Sequence, residues 1–491
     1  MMKPLYRYPL MRLMLLAASI VLSWQTHAEV LAPEAVKADL SRLYEGLKAA
    51  EADLFAETAP AIFERRYKDL MQGYDRPQSM QRLHSDFQQF AALANHAHTR
   101  LTELNPGWSA LLDSGGKIFP LGLTIAAGEV IVSGAPDGSG VLPGDRVLAI
   151  NGVPNPLWLK QVTAHISAET SNLAYALLSG MEPYYFWLAF GALEQYTLEL
   201  ERSDQIRTVS VDTVALDALA DNVTLEAGFR LAGREHALLS ENIGYLRPGP
   251  FYNVEAKTPE EAYDPAALAD YLAFIDRAFG EFIAAGVEHL VLDLRDNPGG
   301  DSSFSDPLIA WFAHRPFSFA SDFRIRVSGE TTAANQRRLD LSPHDTTSVS
   351  AQFARLYATA REGEVVSFEF AKSQPRSGQR FAGQVHVLVN RYSYSNAVSV
   401  AALIQDYGFG LVYGEPTRDM ATTYGAMEHF TLPNTGFTVG YPKAHIIRPS
   451  GKKEVHPLVP DVPLTVPPLR GASDVMLQAL LHRLQAVLSA G

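Results

Sequence analysis

The sequence of 491 residues contains no cysteine. This absence excludes disulfide bridges, thiolate zinc sites and a cysteine nucleophile. Basic runs are also missing, and the formal net charge is −13. Proteins that bind nucleic acid present clustered positive charge, so this acidic chain is a poor candidate for that role. The fourteen histidines show no paired-ligand spacing such as HExxH, so neither a metal nor another cofactor is predicted.

Long apolar runs are missing after the first 28 residues, so no membrane span is predicted there. Residues 1–28 have three basic residues, a short apolar run over Leu13–Trp24, and small residues before Ala28. This order is typical of an export signal cleaved after Ala28, with an uncleaved N-terminal anchor as the alternative. A thiol-free exported chain suits the periplasm, so the mature protein is predicted to be periplasmic or secreted.

The length predicts roughly three domains of about 150 residues each. Residues 29–110 are predicted to form a helical domain, because apolar positions such as Leu40, Leu43 and Leu47 recur every three or four residues. Residues 217–470 alternate between buried strands and helices, which predicts an α/β core. Residues 471–491 are predicted to add a C-terminal helix.

Residues 111–216 instead show short β-like runs. Within them lies the segment Gly140-Val-Leu-Pro-Gly-Asp-Arg-Val-Leu-Ala-Ile-Asn-Gly-Val153, in which Asn151-Gly152 favours a tight turn with positive φ. The segment resembles the "GLxxGDxIxxINGxxV" pattern of PDZ domains, and a PDZ-like module is therefore predicted here. The aromatic stretch Leu177–Leu193 is interpreted as core, with an interface or an apolar ligand wall as alternatives.

Three segments of the predicted core carry candidate chemistry. They are Asp293-Leu-Arg-Asp-Asn-Pro-Gly-Gly300, Asn390-Arg-Tyr-Ser-Tyr-Ser-Asn-Ala-Val398 and Gly414-Glu-Pro-Thr417, each after a predicted strand. In this order they resemble the "DLRxNxGG", "SxSxxE/D" and "GEPT" motifs of carboxyl-terminal-processing and tricorn-type serine peptidases. The resemblance implies a multi-domain α/β protein in which a PDZ-like module precedes the catalytic core. The core is expected to be crotonase/ClpP-like and similar to interphotoreceptor-retinoid-binding-protein-like domains. Arg295 is expected to cap its strand, with ordering of the glycine loop as the alternative.

The same resemblance places the nucleophile on Ser395, and not on Ser393 or Ser399. Taken alone, each of these serines would be interpreted as a helix N-cap. The family also implies that the backbone N–H of Asn396, with that of Gly299 or Gly300, holds the oxyanion. We therefore expect these donors beside Ser395.

The base that activates the serine departs from one branch of the family. The processing branch uses a lysine 25 residues after the nucleophile, but that position is Met420, and Arg418–Thr422 contains no lysine. The segment Asn95-His-Ala-His-Thr-Arg-Leu101 instead resembles the "DGHTRL" element of the tricorn-like His–Ser–Glu branch. The resemblance places the base on His98, with His96 as an alternative and two surface histidines as the plain interpretation. A histidine is largely neutral at pH 7 and can accept the serine proton.

The orienting acid is expected late in the chain. The segment Lys453-Glu-Val-His-Pro-Leu-Val-Pro-Asp461 resembles the family stretch "ENxGVxPDxxV", which places the acid on Glu454. A solvated glutamate paired with Lys452 or Lys453 is the competing interpretation. His456 and Asp461 remain as alternatives, although Pro460-Asp461 is more typical of a turn.

These roles predict an exported, tail-specific type of serine peptidase that acts on polypeptides through an acyl-enzyme. The PDZ-like module would engage the polypeptide by strand addition. The alternatives are a catalytically degenerate relative that binds peptides or apolar ligands, and a crotonase-like acyl-transfer enzyme, for which no basic phosphate-binding cluster is evident. A homo-oligomer stays open.

Overall fold

The structure is a computed structural model that describes residues 30–126, 128–222, 229–231, 233–256, 261–341, 344–471 and 473–490. The predicted export signal, residues 1–28, lies outside the described residues. The helices are α1 (Pro33–Ala50), α2 (Pro60–Gly73), α3 (Met80–Ala92), α4 (Pro106–Asp113), α5 (Asn155–Thr163), α6 (Ser171–Leu178), α7 (Glu182–Phe190), α8 (Leu216–Asn222), α9 (Pro265–Ala284), α10 (Ser302–Ala310), α11 (Gly329–Leu341), α12 (Val349–Thr359), α13 (Asn396–Tyr407) and α14 (Val475–Ala490).

The strands alternate with these helices along the chain. They are β1 (Val30–Leu31), β2 (Gln78–Ser79), β3 (Arg100–Leu101), β4 (Lys117–Ile118), β5 (Gly122–Ala126), β6 (Glu129–Gly134), β7 (Arg146–Ile150), β8 (Val153–Pro154), β9 (Gln195–Arg202), β10 (Gln205–Asp212), β11 (Val214–Ala215), β12 (Glu235–Leu238), β13 (Ile243–Arg247), β14 (His289–Asp293), β15 (Asp322–Arg326), β16 (Val365–Ser367), β17 (Gln384–Val389), β18 (Leu411–Gly414), β19 (Thr423–Thr431), β20 (Thr438–Ile447) and β21 (Val462–Pro463). The predicted mixed α/β class is confirmed.

The described residues divide into two compact units, each built from three stretches of chain. The first unit takes the described residues of 1–228, 323–368 and 424–445, and the second takes those of 229–322, 369–423 and 446–491. Two stretches inside the predicted 217–470 core therefore cluster with the N-terminal residues. The domain boundaries predicted from the sequence stay predictions.

The first unit begins with the predicted helical segment. The apolar stripe of α1 is fully buried at Leu40, Leu43 and Leu47, and it packs in one cluster with Phe87 of α3. The period that predicted these helices is thus the period of their buried face. The unit also contains a sheet of order β16-β15-β20-β19, with β3 paired to β20. The patterns in the sequence did not predict that sheet.

A second sheet of the first unit has the order β10-β9-β7-β6-β5, with β8 paired to β7, and its strands are antiparallel. Between β7 and β8, Asn151 has a φ of 50° and Gly152 a φ of 74°, so the predicted turn is confirmed. The aromatic stretch forms α7, where Phe186 is fully buried and stacks on Phe119 at 3.7 Å between ring centroids. Its interpretation as core is confirmed, while the PDZ-like assignment stays a prediction.

The second unit is built on a sheet of order β12-β13-β14-β17-β18-β21. Pairing is parallel from β13 to β21, and β12 is antiparallel to β13. Alternate residues point to opposite faces of a strand, so Leu290 and Val387 pack with α9 and α13 on one face, while Val291 and Leu388 pack with α14 on the other. A parallel sheet covered on both faces accounts for the continuous apolar runs of β14 and β17.

Among the described residues, no helix combines the length and the apolar character needed to cross a bilayer.

Candidate active site

The three sequence motifs of the core meet at one edge of the second unit's sheet. Strands β14, β17 and β18 are parallel neighbours, with Asp293 opposite Leu388 and Val389 opposite Gly414. The carboxyl ends of parallel strands lie at the same edge, which is where α/β sheets usually bind ligands. The loops that follow these strands therefore form the candidate site.

Ser395 stands at the sharp turn between β17 and α13. Its φ is 52° and its ψ is −124°, values that a residue other than glycine rarely adopts. It occupies the N-cap position, but its hydroxyl makes no capping hydrogen bond. Ser393, in contrast, is buried and donates from Oγ to the Leu294 carbonyl at 2.8 Å, and Ser399 lies inside α13. The N-cap interpretation therefore does not explain Ser395.

The glycine loop after β14 lies directly against Ser395. A Cβ on Gly299 would be 2.6 Å from the backbone N of Asn396, and one on Gly300 would be 2.2 Å from the Phe251 carbonyl oxygen. Only glycine fits at either position, and both have positive φ, of 88° and 135°. The Gly299 N–H already donates to Asn297 Oδ1 at 2.9 Å.

Arg295 ties this loop to the C-terminal helix. Its guanidinium donates to both oxygens of Asp293, at 2.9 and 2.7 Å, and to both oxygens of Asp474, each at 2.7 Å. Burial alone would raise the pKa of Asp293, but Arg295 and Arg247 hold it below its ordinary value. Asp474 also accepts the Leu477 N–H in the first turn of α14. Arg295 thus anchors the strand end.

The loop after β18 supplies a residue that sequence reasoning missed. Asp419 is 1% exposed, and its Oδ2 accepts the backbone N–H of Ser395 at 2.5 Å. Its Oδ1 accepts the N–H of Met420 at 2.8 Å. Burial raises the pKa of Asp419 to about 6, although these two N–H groups oppose the shift. The available signal was its place beside Met420, the position where the processing branch carries its lysine.

The segment that carries Glu454 is fastened to this same loop. Four hydrogen bonds join them. They run from Thr422 Oγ1 to the Lys452 carbonyl at 2.6 Å, from Ala421 N to the His456 carbonyl at 2.9 Å, from Thr417 N to the Leu458 carbonyl at 3.1 Å, and from Leu458 N to Thr417 Oγ1 at 2.9 Å. Glu454 lies between two of these attachments, and its side chain is exposed. Its segment is therefore held next to the loop that contacts Ser395.

The alternative acids differ from Glu454 in their surroundings. Asp461 accepts the backbone N–H of Val412 at 2.8 Å and the side-chain amide of Gln405 at 2.9 Å. These bonds fasten the segment before β21 to β18 and α13, which is a structural role. His456 is exposed, and its carbonyl holds Ala421.

The first unit holds His98, in the turn before β3. It is 7% exposed, and its Nδ1 lies 2.9 Å from the carbonyl oxygen of Tyr424. Since a carbonyl oxygen only accepts, Nδ1 carries the proton in the neutral ring and Nε2 carries the lone pair. Burial, followed by the positive charges of Arg100 and His96, lowers the pKa of His98 to about 4. His98 is thus a neutral imidazole at pH 7.

His96 has the opposite electrostatic setting. It is fully buried, its Nδ1 lies 2.8 Å from Glu51 Oε2, and its ring stacks on Tyr424 at 4.2 Å. Burial alone would lower the pKa of His96, but the hydrogen bond and the charge of Glu51 raise it above its ordinary value. The surface interpretation is wrong for both histidines. Of the two, His98 is the neutral one.

Comparison with known proteins identifies a segment that includes residues of both units. Residues 243–464 match the model of Peptidase family S41. These residues form an S41 peptidase domain. Over 220 residues the chain is 27% identical to the carboxyl-terminal-processing protease of Picosynechococcus sp., covering 43% of this chain and 42% of that protein. The chain thus matches less than half the length of this curated relative. The predicted kinship with carboxyl-terminal-processing peptidases is confirmed for the S41 domain.

Solved structures resemble a larger part of the chain. Mature CPAF complexed with lactacystin is 16% identical, with a TM-score of 0.60, and the match covers 93% of this chain and 97% of that one. Mature CPAF alone has a TM-score of 0.58 at 16% identity, over 88% and 93% of the two chains. At this identity the likeness shows the fold alone. The S41 domain therefore lies within a chain whose fold these structures share.

Proposed function

We propose that the chain is a serine-type peptidase that hydrolyses peptide bonds in polypeptides, with Ser395 as its nucleophile. The observation that carries this proposal is the Ser395 turn of the S41 domain. There, a partly exposed serine with a φ of 52° lies against the glycine loop at the carboxyl edge of a parallel sheet. Strain of this kind concentrates where the fold must present a side chain for chemistry.

His98 is proposed as the general base. Its neutral ring and the Nδ1 hydrogen bond to Tyr424 leave Nε2 as the proton acceptor. It would take the proton of Ser395 as the hydroxyl attacks the peptide carbonyl, and then return that proton to the leaving amine. His96 is less suited, since Glu51 favours its charged form. The buried side chain of Met420 offers no amine, which argues against a Ser–Lys pair.

Glu454 is proposed as the acid that completes the His–Ser–Glu set. Its segment is fastened on both sides to the loop that contacts Ser395. An acid near a catalytic imidazole stabilises the cation that forms when the base takes the serine proton. The structural role of Asp461 favours Glu454 over that alternative.

The oxyanion is proposed to bind the N–H of Asn396 and that of Gly300. Asn396 is the first residue of α13, where unpaired N–H groups and the helix dipole favour negative charge. Gly300 is favoured over Gly299 because the Gly299 N–H is already bonded to Asn297. Loss of one such donor typically costs about 10²–10³-fold in rate.

We also propose that the protein is exported to the periplasm or the medium with cleavage after Ala28, and that its PDZ-like module binds the polypeptide. In the described part of that module, β5 is an edge strand of the sheet. Its Leu123 N–H donates to Glu182 Oε1 at 3.2 Å. A peptide strand added at β5 would replace that bond. N-terminal sequencing of the exported chain tests the first point, with Glu29 expected as the first residue.

Labelling with a serine-directed fluorophosphonate tests the peptidase assignment. Wild type is expected to label at Ser395 and to cleave casein, Ser395→Ala to do neither, and His98→Ala to label at least 10²-fold more slowly. Ser303→Ala, which removes an exposed hydroxyl in the same unit, is the matched control and keeps the wild-type rate. A folded wild type that neither labels nor cleaves would favour a binding protein. The burial of the aromatic stretch in the core supports the peptidase proposal over an apolar-ligand carrier.

A further inference from the structure

We infer that Asp419 is a positioning residue for the nucleophile: its carboxylate holds the backbone N–H of Ser395 and thereby fixes the turn that presents the hydroxyl. The inference rests on the proposed function of Ser395. It adds a residue to which neither the sequence motifs nor the comparisons assign a role.

Ser395 has a backbone conformation that its surroundings must stabilise. A non-glycine residue in the left-handed region costs about 1–2 kcal/mol, and it persists only where its surroundings hold it. Here the neighbouring peptide is held by the Tyr394 N–H, which donates to the Asn297 carbonyl at 3.0 Å. The next N–H along the chain, that of Ser395, is held by Asp419. A carboxylate acceptor makes this a charge-assisted bond, which is stronger than a bond to a carbonyl.

Asp419 is itself held in place by hydrogen bonds on both its side chain and its backbone. Its Oδ1 accepts the Met420 N–H, and its carbonyl accepts Thr417 Oγ1 at 2.7 Å. Thr417 is in turn bonded to Leu458 in both directions, by its N–H at 3.1 Å and by its Oγ1 at 2.9 Å. The carboxylate is therefore oriented before any substrate arrives, which is what a positioning group requires.

In the processing branch, the loop after the strand equivalent to β18 brings a lysine to the serine. In this chain, the same loop brings the Asp419 carboxylate, a hydrogen-bond acceptor, to the backbone N–H of Ser395. Burial is the largest influence on the pKa of Asp419 and raises it. The N–H groups of Ser395 and Met420 partly offset this increase. Among the described residues, no charged side chain contributes to this shift. The pKa of Asp419 is therefore about 6. A positioning role for its carboxylate should make labelling of Ser395 depend on pH near this value, which a packing role alone would not do.

Two substitutions separate hydrogen bonding from simple packing. Asp419→Ala removes the acceptor, and we expect fluorophosphonate labelling of Ser395 to slow about 10²-fold, as for a misplaced nucleophile. Asp419→Asn keeps an amide oxygen that can accept the same N–H, and we expect it to recover labelling to within about tenfold of wild type. Wild-type labelling should slow as pH drops through about 6, because protonation of Asp419 weakens its hydrogen bond to the Ser395 N–H. Asp419→Asn should not show this decrease near pH 6. The control Asp264→Asn, at an exposed N-cap in the same unit, should show the same decrease near pH 6 as wild type.

A second readout needs no activity. In protein labelled with ¹⁵N-serine, the Ser395 amide is assigned by its loss in Ser395→Ala. We expect its proton resonance far downfield, shifting with a midpoint near pH 6 in wild type and without that midpoint in Asp419→Asn. A Ser395 amide insensitive to pH near 6, or Asp419→Ala and Asp419→Asn both labelling at the wild-type rate, would overturn the inference. If Asp419→Ala fails to fold, the Asp419→Asn profiles decide. A wild type that never labels overturns the peptidase proposal instead, and the amide titration then tells whether Asp419 holds the turn.

Discussion

Replacing Gly299 with alanine tests how closely the glycine loop must approach the proposed nucleophile. The added Cβ would lie 2.6 Å from the Asn396 N, whereas an ordinary contact begins at 3.4 Å, so the two backbones must separate by about 0.8 Å. The positive φ of 88° adds a conformational cost of about 1–2 kcal/mol. A misplacement of about 1 Å in a catalytic constellation can cost 10²-fold in rate, or about 2.7 kcal/mol of transition-state stabilisation.

The matched control is Gly378→Ala. Gly378 lies in the same unit with a φ of 84°, and its added Cβ would meet nothing within 4 Å. Both variants should lower the thermal unfolding midpoint by roughly 2–8 °C, because both incur the backbone cost. Only Gly299→Ala should slow fluorophosphonate labelling of Ser395, by about 10²-fold. If the two variants label within threefold of each other, the close approach of the glycine loop has no part in activating Ser395.

Three further predictions concern the ionisable side chains of Glu454, His98 and Asp39. Glu454→Gln should slow labelling by at least about 10²-fold while the exposed control Glu369→Gln does not, and equal rates would remove Glu454 from the proposed triad. Because burial lowers the pKa of His98 to about 4, labelling of Asp419→Asn should stay level from pH 7 to 5 and fall only as pH drops through about 4, and a fall centred near 6.5 would contradict this. Asp39 is fully buried and accepts four hydrogen bonds from Asn434 and Thr435. Asp39→Ala should therefore destabilise the protein by about 2–4 kcal/mol in thermal unfolding, against almost nothing for the exposed Asp53→Ala.

Much of the second unit could be predicted because its signals are local. The unbroken apolar runs of β14 and β17 indicate strands covered on both faces, and the motifs after them must then meet at one edge. The apolar stripe of α1 similarly predicted its buried face. In these elements, the residues that decide the structure are neighbours in the sequence.

Other features depend on partners far away in the chain. The sheet formed by β15, β16, β19 and β20 was missed because the alternation within a strand does not reveal which strand it pairs with. The contrast between His96 and His98 depends on Glu51, which lies 45 residues before His96. Asp419 was missed because its partner is a backbone N–H, and any residue other than proline supplies that group.

The ion pair between Arg295 and Asp474 links the last helix to the edge of the sheet that carries the candidate site. Deleting α14 together with Asp474 would leave the buried guanidinium with half of its carboxylate oxygens, at the strand end that leads into Gly299. Truncating the chain, or fusing a tag, near its carboxyl terminus would then make the glycine loop less rigid. An expression vector that adds a tag there should keep Asp474 and the first turn of the helix intact.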